Sequence, residues 1–230
     1  MEIKWIGNTT FLLKTKLGKK VLLDPKQIYP IIQKYDLNPD IITFSHIHNP
    51  NILNNYINND CEILNSPSFF ENEFIKIEGI KTYRDNSVGY KRGENIIYIL
   101  TVDNLKICHL GSLGHKLEDN IMKKLKDVDL LFIPIGGHFS LDGYEASKLA
   151  KSINPKYIIP IFFKNPFGYF YLDGPYKFLS KSFVLDYGKI TFSTLLFLTI
   201  FIQFILVLGF RRAHSHEPLD NLVYDKRDQG

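Results

Sequence analysis

The run Asp40–Ser45 (Asp-Ile-Ile-Thr-Phe-Ser) has the apolar content of a buried strand, and it passes directly into His46-Ile47-His48 and Asn49-Pro50. Asn is a favoured helix N-cap and Pro suits the first helical position. The segment therefore predicts a strand, a short loop and a helix start, with two imidazoles projected into one loop where both can ligate a single metal ion. A lone histidine is ordinarily a surface or core residue; a His-x-His pair at a strand end is more specific. A chain built around it must bring the end of a buried strand to the edge of a site.

The rest of residues 1 to 192 supplies the layers. Glu2–Ile6, Thr10–Lys14 and Lys20–Asp24 are short β-type runs broken at Gly7-Asn8 and Gly18. Gln27–Tyr35 has helical spacing limited by Pro30, and further strand-like runs follow at Cys61–Leu64, Phe74–Glu78 and Ile80–Tyr83. Asn95–Val102 and Leu105–Leu110 flank Asp103-Asn104, a hairpin signal. Glu118–Lys126 predicts an amphipathic helix, Asp129–Ile135 a buried strand, Gly143–Ile153 a helix, and Lys156–Phe163 and Phe183–Leu185 strands. Many strands first and helices interleaved later suit two sheets with helices outside, an α/β sandwich.

Composition narrows the function classes. The chain is 45% hydrophobic and 23% charged, which excludes disorder for its bulk. A net charge of +4 without a long Lys/Arg run disfavours a dedicated nucleic-acid binder, and no nucleic-acid partner is expected. Cys61 and Cys108 are too few for a disulfide framework or a Cys-rich zinc site. Met1-Glu2-Ile3-Lys4-Trp5 has no signal-peptide core, so a cytosolic start is expected.

From Thr191 to Phe210 there are 20 residues without a charged side chain or a histidine, apolar all round, with Arg211 and Arg212 behind them. As a helix the stretch is about 30 Å long, the thickness of a bilayer's hydrocarbon core. It predicts a transmembrane span at 191–210 between a domain at 1–190 and a short polar tail at 211–230. The membrane is thus an expected partner, with the domain held in the cytoplasm. A tail foreign to the domain would leave a cytoplasmic protein.

Several landmarks in collinear order resemble the metallo-β-lactamase fold, in its branch of small uncharacterised metal-dependent hydrolases. They are Leu22-Leu23-Asp24-Pro25, the strand into His46-Ile47-His48, Arg92-Gly93-Glu94-Asn95, His109-Leu110-Gly111-Ser112, Pro134-Ile135-Gly136-Gly137-His138 and Ile158-Ile159-Pro160. The resemblance covers about residues 1 to 192. It implies a four-layer αββα sandwich, here followed by the apolar C-terminal helix.

Against that family pattern, the metal loop His-x-His-x-Asp-His has Pro50 in place of its Asp and Asn51 in place of its last His. Arg84 stands where the next His belongs, with Asp85 retained behind it; Ser112 replaces the bridging Asp and Phe162 the final His. Of seven ligand positions, five are substituted and His46 and His48 remain. A catalytic zinc needs about three protein ligands and an open water position, so no metal cofactor is expected. His115 and His138 are the candidates for a rebuilt site. The pattern predicts a non-catalytic, membrane-anchored binding or scaffold module for an unknown protein or small-molecule ligand. The alternative is a hydrolase of a phosphoester, lactone or similar bond, with zinc in an unusual or mononuclear site.

Overall fold

Phe11 and Leu13 of strand β2 (Thr10–Lys14) enter one apolar cluster, while Leu12 between them enters another. That two-residue alternation organises the molecule. The structure, a computed structural model, describes residues 1–7, 9–25, 37–46, 61–164 and 170–182. The first sheet runs β1 (Glu2–Gly7), β2, β3 (Lys20–Leu23), β4 (Ile41–Thr43) and β5 (Glu62–Leu64), in that spatial order. β1, β2 and β3 pair antiparallel, and β4 and β5 add on in parallel.

The second sheet has the order β11-β10-β9-β8-β7-β6, from β6 (Phe69–Glu71), β7 (Ile75–Tyr83), β8 (Glu94–Val102), β9 (Leu105–His109), β10 (Leu130–Pro134) and β11 (Tyr157–Ile161). β6 to β9 form an antiparallel meander, and β9, β10 and β11 are parallel. Between the sheets lie Phe11, Leu13, Val21, Leu23 and Ile41 from one side and Ile77, Tyr98, Leu100, Ile107 and Phe132 from the other. Phe11 and Phe132 meet across that space with ring centroids 4.7 Å apart. Full burial of such a side chain is worth roughly 1.5–3 kcal/mol.

The other face of the second sheet carries Ile97, Ile99, Leu131 and Ile133 and is covered by helices α1 (Asp119–Lys124), α2 (Gly143–Ile153) and α3 (Tyr176–Ser182). α2 contributes Ala146, Ala150 and Ile153, and α3 contributes Phe178. Burial on both faces is why β8 and β10 are near-continuous apolar runs rather than alternating ones. α2 starts in a capping box, with Asp142 accepting from the Tyr144 and Glu145 amides while Glu145 accepts from the Asp142 amide. The mixed α/β sandwich expected from sequence is present, with two sheets and one helical layer among the described residues. The fourth layer of the αββα expectation falls outside them.

Some elements differ from expectation. The expected break between Phe74–Glu78 and Ile80–Tyr83 is absent: β7 runs unbroken through Gly79, paired residue for residue with β8. A Cβ at Gly79 would come within 3.1 Å of both Ser66 O and Tyr98 Cε1, so the glycine marks a close approach rather than a turn. β6 and α3 were not anticipated. Asp103 and Asn104, at φ 52° and 64°, make the expected tight hairpin turn. Gln27–Tyr35, the helix start at Asn49-Pro50 and the strand Phe183–Leu185 lie outside the described residues. So does Thr191–Phe210; among the described residues no helix is long and apolar enough to cross a membrane.

Candidate functional site

β3 and β4 end side by side, and the residues just past them build the first wall of the site. Asp24, at φ 48°, turns the chain out of β3, and its amide donates to Thr43 O at 2.9 Å. Its Oδ1 accepts from both the amide and the hydroxyl of Ser45, at 3.0 and 2.8 Å. The single Ser45 proton being spent on Asp24, Ser45 Oγ accepts from His46 Nδ1, 3.0 Å away. This chain sets the His46 tautomer and orients its half-buried ring in the manner of the carboxylate-linked supports behind metal-binding histidines.

The second wall is the turn after β9. Asn95 donates to Thr82 Oγ1 at 2.8 Å and to Leu110 O at 3.1 Å, and accepts from the Ser112 amide at 2.8 Å. Gly111, at φ 59°, is pressed against both walls: a Cβ there would strike the Ser45 side chain and lie 2.6 Å from Asn95 Oδ1. Gly114 has the same role against the Arg84 carbonyl. The sheets are tied at this end by Ile96 N donating to Ser45 O (2.7 Å) and by the Tyr98 hydroxyl, set between Phe44 O (2.9 Å) and Leu64 O (2.8 Å). Burial, with the Asp24 charge adding to it, pushes the Tyr98 phenol pKa upward.

His109 is fully buried, its Nδ1 accepting from the Gly111 amide at 3.2 Å and its Nε2 facing Thr9 O at 3.4 Å. Burial drives its imidazole pKa down, against the opposing pull of Asp24. It is a neutral structural group beneath the turn.

Arg84 lies at the end of β7, half-buried. Its Nη1 donates to Arg92 O at 3.2 Å, while its buried Nε has no hydrogen-bond partner. Burial lowers the guanidinium pKa, and Arg92 adds to this; Asp24, Asp85 and Tyr171 oppose it. Asp85 is spent on its own loop, accepting from the amides of Ser87, Gly89, Lys91 and Arg92 at 2.7 to 3.1 Å. Burial would raise its pKa, but those four donors outweigh it and hold the carboxyl below the usual range. Ser112 Oγ, Thr43 Oγ1 and Asp24 Oδ2 are buried without partners. Phe162 is buried, at φ 49°, and Gly136 abuts its carbonyl.

The remaining candidates are placed as follows. His115 has both ring nitrogens engaged, Nε2 accepting from the Tyr83 amide at 3.1 Å and Nδ1 donating to Lys116 O at 2.8 Å. His138 is exposed on the turn after β10 at φ 53°. His48, Pro50 and Asn51 lie outside the described residues. Among the described residues no three of His, Cys, Asp and Glu gather as a metal site requires. Among the described residues the side chains at the positions matched to the family's ligands do not suit a dinuclear metal: Arg84 supplies a fixed cation, Ser112 a hydroxyl, Phe162 a hydrocarbon, and Asp85 is turned to its own backbone.

A sequence profile of the beta-lactamase superfamily domain matches residues 2–162. The chain belongs to that superfamily. Among its superfamily relatives, a Roseiflexus castenholzii protein is 24% identical over 196 residues, covering 69% of this chain and 80% of the relative. A Sulfolobus acidocaldarius protein is 27% identical over 192 residues, covering 70% and 84%. Both are named metal-dependent hydrolases. A crystal structure of a metallo-beta-lactamase superfamily protein from Thermotoga maritima is similar at a TM-score of 0.64. It shares 28% identity and the match covers 80% of this chain and 86% of that one.

In this superfamily member Asp24, Asn95, Gly111 and His109 support the site through buried hydrogen bonds and close packing. Sequence reasoning named Arg84 and Ser112 but not the role of Asn95. Asn95 carried a usable signal, a lone polar residue opening the apolar run 96–100.

Proposed function

We propose that this superfamily member binds a small ligand at the site where β3, β4, β7 and β9 end, and that it does so without a catalytic metal. The carrying observation is the half-buried Arg84 guanidinium, at a position the family resemblance assigns to a ligand, its buried Nε without a hydrogen-bond partner and no carboxylate ion-paired to it among the described residues. A guanidinium repels a divalent cation and attracts the oxygens of an anion. The domain spans residues 1–190, and 191–210 holds it at a membrane from the cytoplasmic side.

The relatives' names favour a second reading, a hydrolase acting on a phosphoester, lactone or similar bond with metal at His46 and His48. Its support within this chain is the Asp24–Ser45–His46 arrangement, which still orients the first of those imidazoles. Elemental analysis of the purified full chain separates the two. The first predicts less than stoichiometric zinc, iron or manganese. One or two tightly held equivalents, lost in His46→Ala, would establish the second.

A further inference from the structure

β9, β10 and β11 run parallel, so they start together at the end of the molecule opposite the site. The helices that cover them finish at that same end. Lys106 Nζ, at the start of β9, donates to the Lys126 carbonyl just past α1 at 2.7 Å. Lys151 Nζ, in the last turn of α2, donates to the Lys181 carbonyl in the last turn of α3 at 2.7 Å. The Lys156 amide, before β11, donates to Val128 O before β10 at 3.3 Å. The β2–β3 hairpin reaches the same end, its Lys16 amide donating to Asp103 Oδ2 in the β8–β9 turn at 2.9 Å. These contacts join the pieces into one continuous surface.

That surface is basic. Lys123 and Lys124 stand in the last turn of α1, Lys151 in that of α2 and Lys181 in that of α3, with Lys126 and Lys156 beside them. All six are exposed. The first turns of α1 and α2 carry Asp119 and Glu145 instead. Helix dipoles favour this polarity within each helix, but Lys16, Lys106, Lys126 and Lys156 lie outside the helices and extend the charge. Most carboxylates on this side are engaged: Asp129 with Lys156 and the Lys106 amide, Asp103 with the Lys16 amide and the N-terminus, and Glu78 with Lys124. Asp127 is exposed.

Two features point this surface at lipid rather than at a nucleic acid or an acidic protein. α3 ends at Ser182, next to the Lys181–Lys151 contact, and the apolar stretch begins at Thr191. The eight residues between them span at most about 30 Å when extended. The chain thus leaves the domain from its lysine end, which brings that end nearest the headgroups when 191–210 sits in a bilayer. Beside Lys16, Leu17 is 72% exposed. Attachment to anionic lipid grows with both positive charge and buried apolar area.

We propose that this end, carrying Lys16, Lys123, Lys126, Lys151, Lys156 and Lys181, docks the domain on an anionic lipid surface and turns the site toward the cytosol. This rests on the membrane reading of 191–210 and goes beyond it by fixing the orientation of the domain.

The test is acetylation by a water-soluble, membrane-impermeant reagent, read by mass spectrometry. The full chain is reconstituted into vesicles of phosphatidylcholine alone or mixed with phosphatidylserine. Lys123, Lys126 and Lys151 should react about fivefold or more slowly in the mixed vesicles, since a single lysine near an anionic surface is worth about fivefold in binding. Lys91, Lys116 and Lys164, exposed around the site end, should react equally in both. High salt should remove the difference. Lys123→Gln, Lys126→Gln and Lys151→Gln made together, all at exposed positions, should return Lys156 and Lys181 to their rates in phosphatidylcholine. Equal rates in the two vesicles, or slowing at Lys91 and Lys164 instead, overturns the docking and leaves the anchor standing. Equal protection of these lysines by duplex DNA overturns lipid as the partner. A full chain that enters neither vesicle overturns the docking together with the anchor.

Discussion

Asp24 accepts both the amide and the hydroxyl of Ser45 on one oxygen, at 3.0 and 2.8 Å, and thereby pins the end of β4 to the end of β3. Both residues are buried. Asp24→Ala strands two donors, each costing about 1–3 kcal/mol when left unsatisfied, so a loss of roughly 2–6 kcal/mol is expected. Asp24→Asn keeps an acceptor and should lose clearly less. Urea unfolding of the two variants checks this; equal losses would mean that the charge, not the paired acceptance, matters.

His109 should make stability fall toward acid. Its pKa is depressed by burial in the folded chain, so as pH drops through the ordinary histidine value near 6.5 the unfolded chain takes up a proton that the folded one refuses. The stability is present above that value and is lost as pH falls toward the folded pKa, at a slope of at most about 1.4 kcal/mol per pH unit. Between about pH 7.5 and about pH 5.5, His109→Gln should lose less stability than the parent chain. A parent and variant that lose the same amount would show that His109 titrates normally.

Gly111→Ala combines two penalties, a left-handed φ of 59° and a Cβ driven into Ser45 and Asn95. Together they should cost about 2–5 kcal/mol. Gly18→Ala shares a positive φ, 79°, but meets nothing within 4 Å, so only the backbone strain of about 1 kcal/mol applies. Comparable melting-point losses in the two variants would show that crowding at Gly111 is relieved by movement of the turn.

Restoring the family's ligands should restore metal binding. The set is Pro50→Asp, Asn51→His, Arg84→His, Ser112→Asp and Phe162→His, made together because a half-built site leaves buried polar groups unpaired. The variant should take up zinc that the parent does not hold. A folded quintuple variant that binds none would show that the motifs have been matched to the wrong positions.

The apolar stretch should anchor the full chain. Its 14 Phe, Leu, Ile and Val residues between 191 and 210 favour insertion by roughly 4–8 kcal/mol before polar penalties. In cell fractionation the full chain should resist carbonate extraction, and a chain ending at Lys189 should be soluble. Two soluble, monomeric forms would mean the stretch does not enter a membrane.

The strand into His46, the Asp103-Asn104 hairpin and the helix Gly143–Ile153 were legible in the sequence because each is a local pattern, of alternation, of turn residues or of helical spacing. Even Gly79 was legible as a glycine, but only the pairing of β7 with β8 shows that it admits Tyr98 rather than ending a strand. Tertiary structure alone decided that Asp85 serves its own loop, that His115 spends both nitrogens on backbone, and that Phe139 meets Tyr171 edge-on. Those outcomes depend on which distant backbone donors and rings arrive beside a side chain. Local periodicity determines how a segment folds but carries no information about what the rest of the chain brings to it.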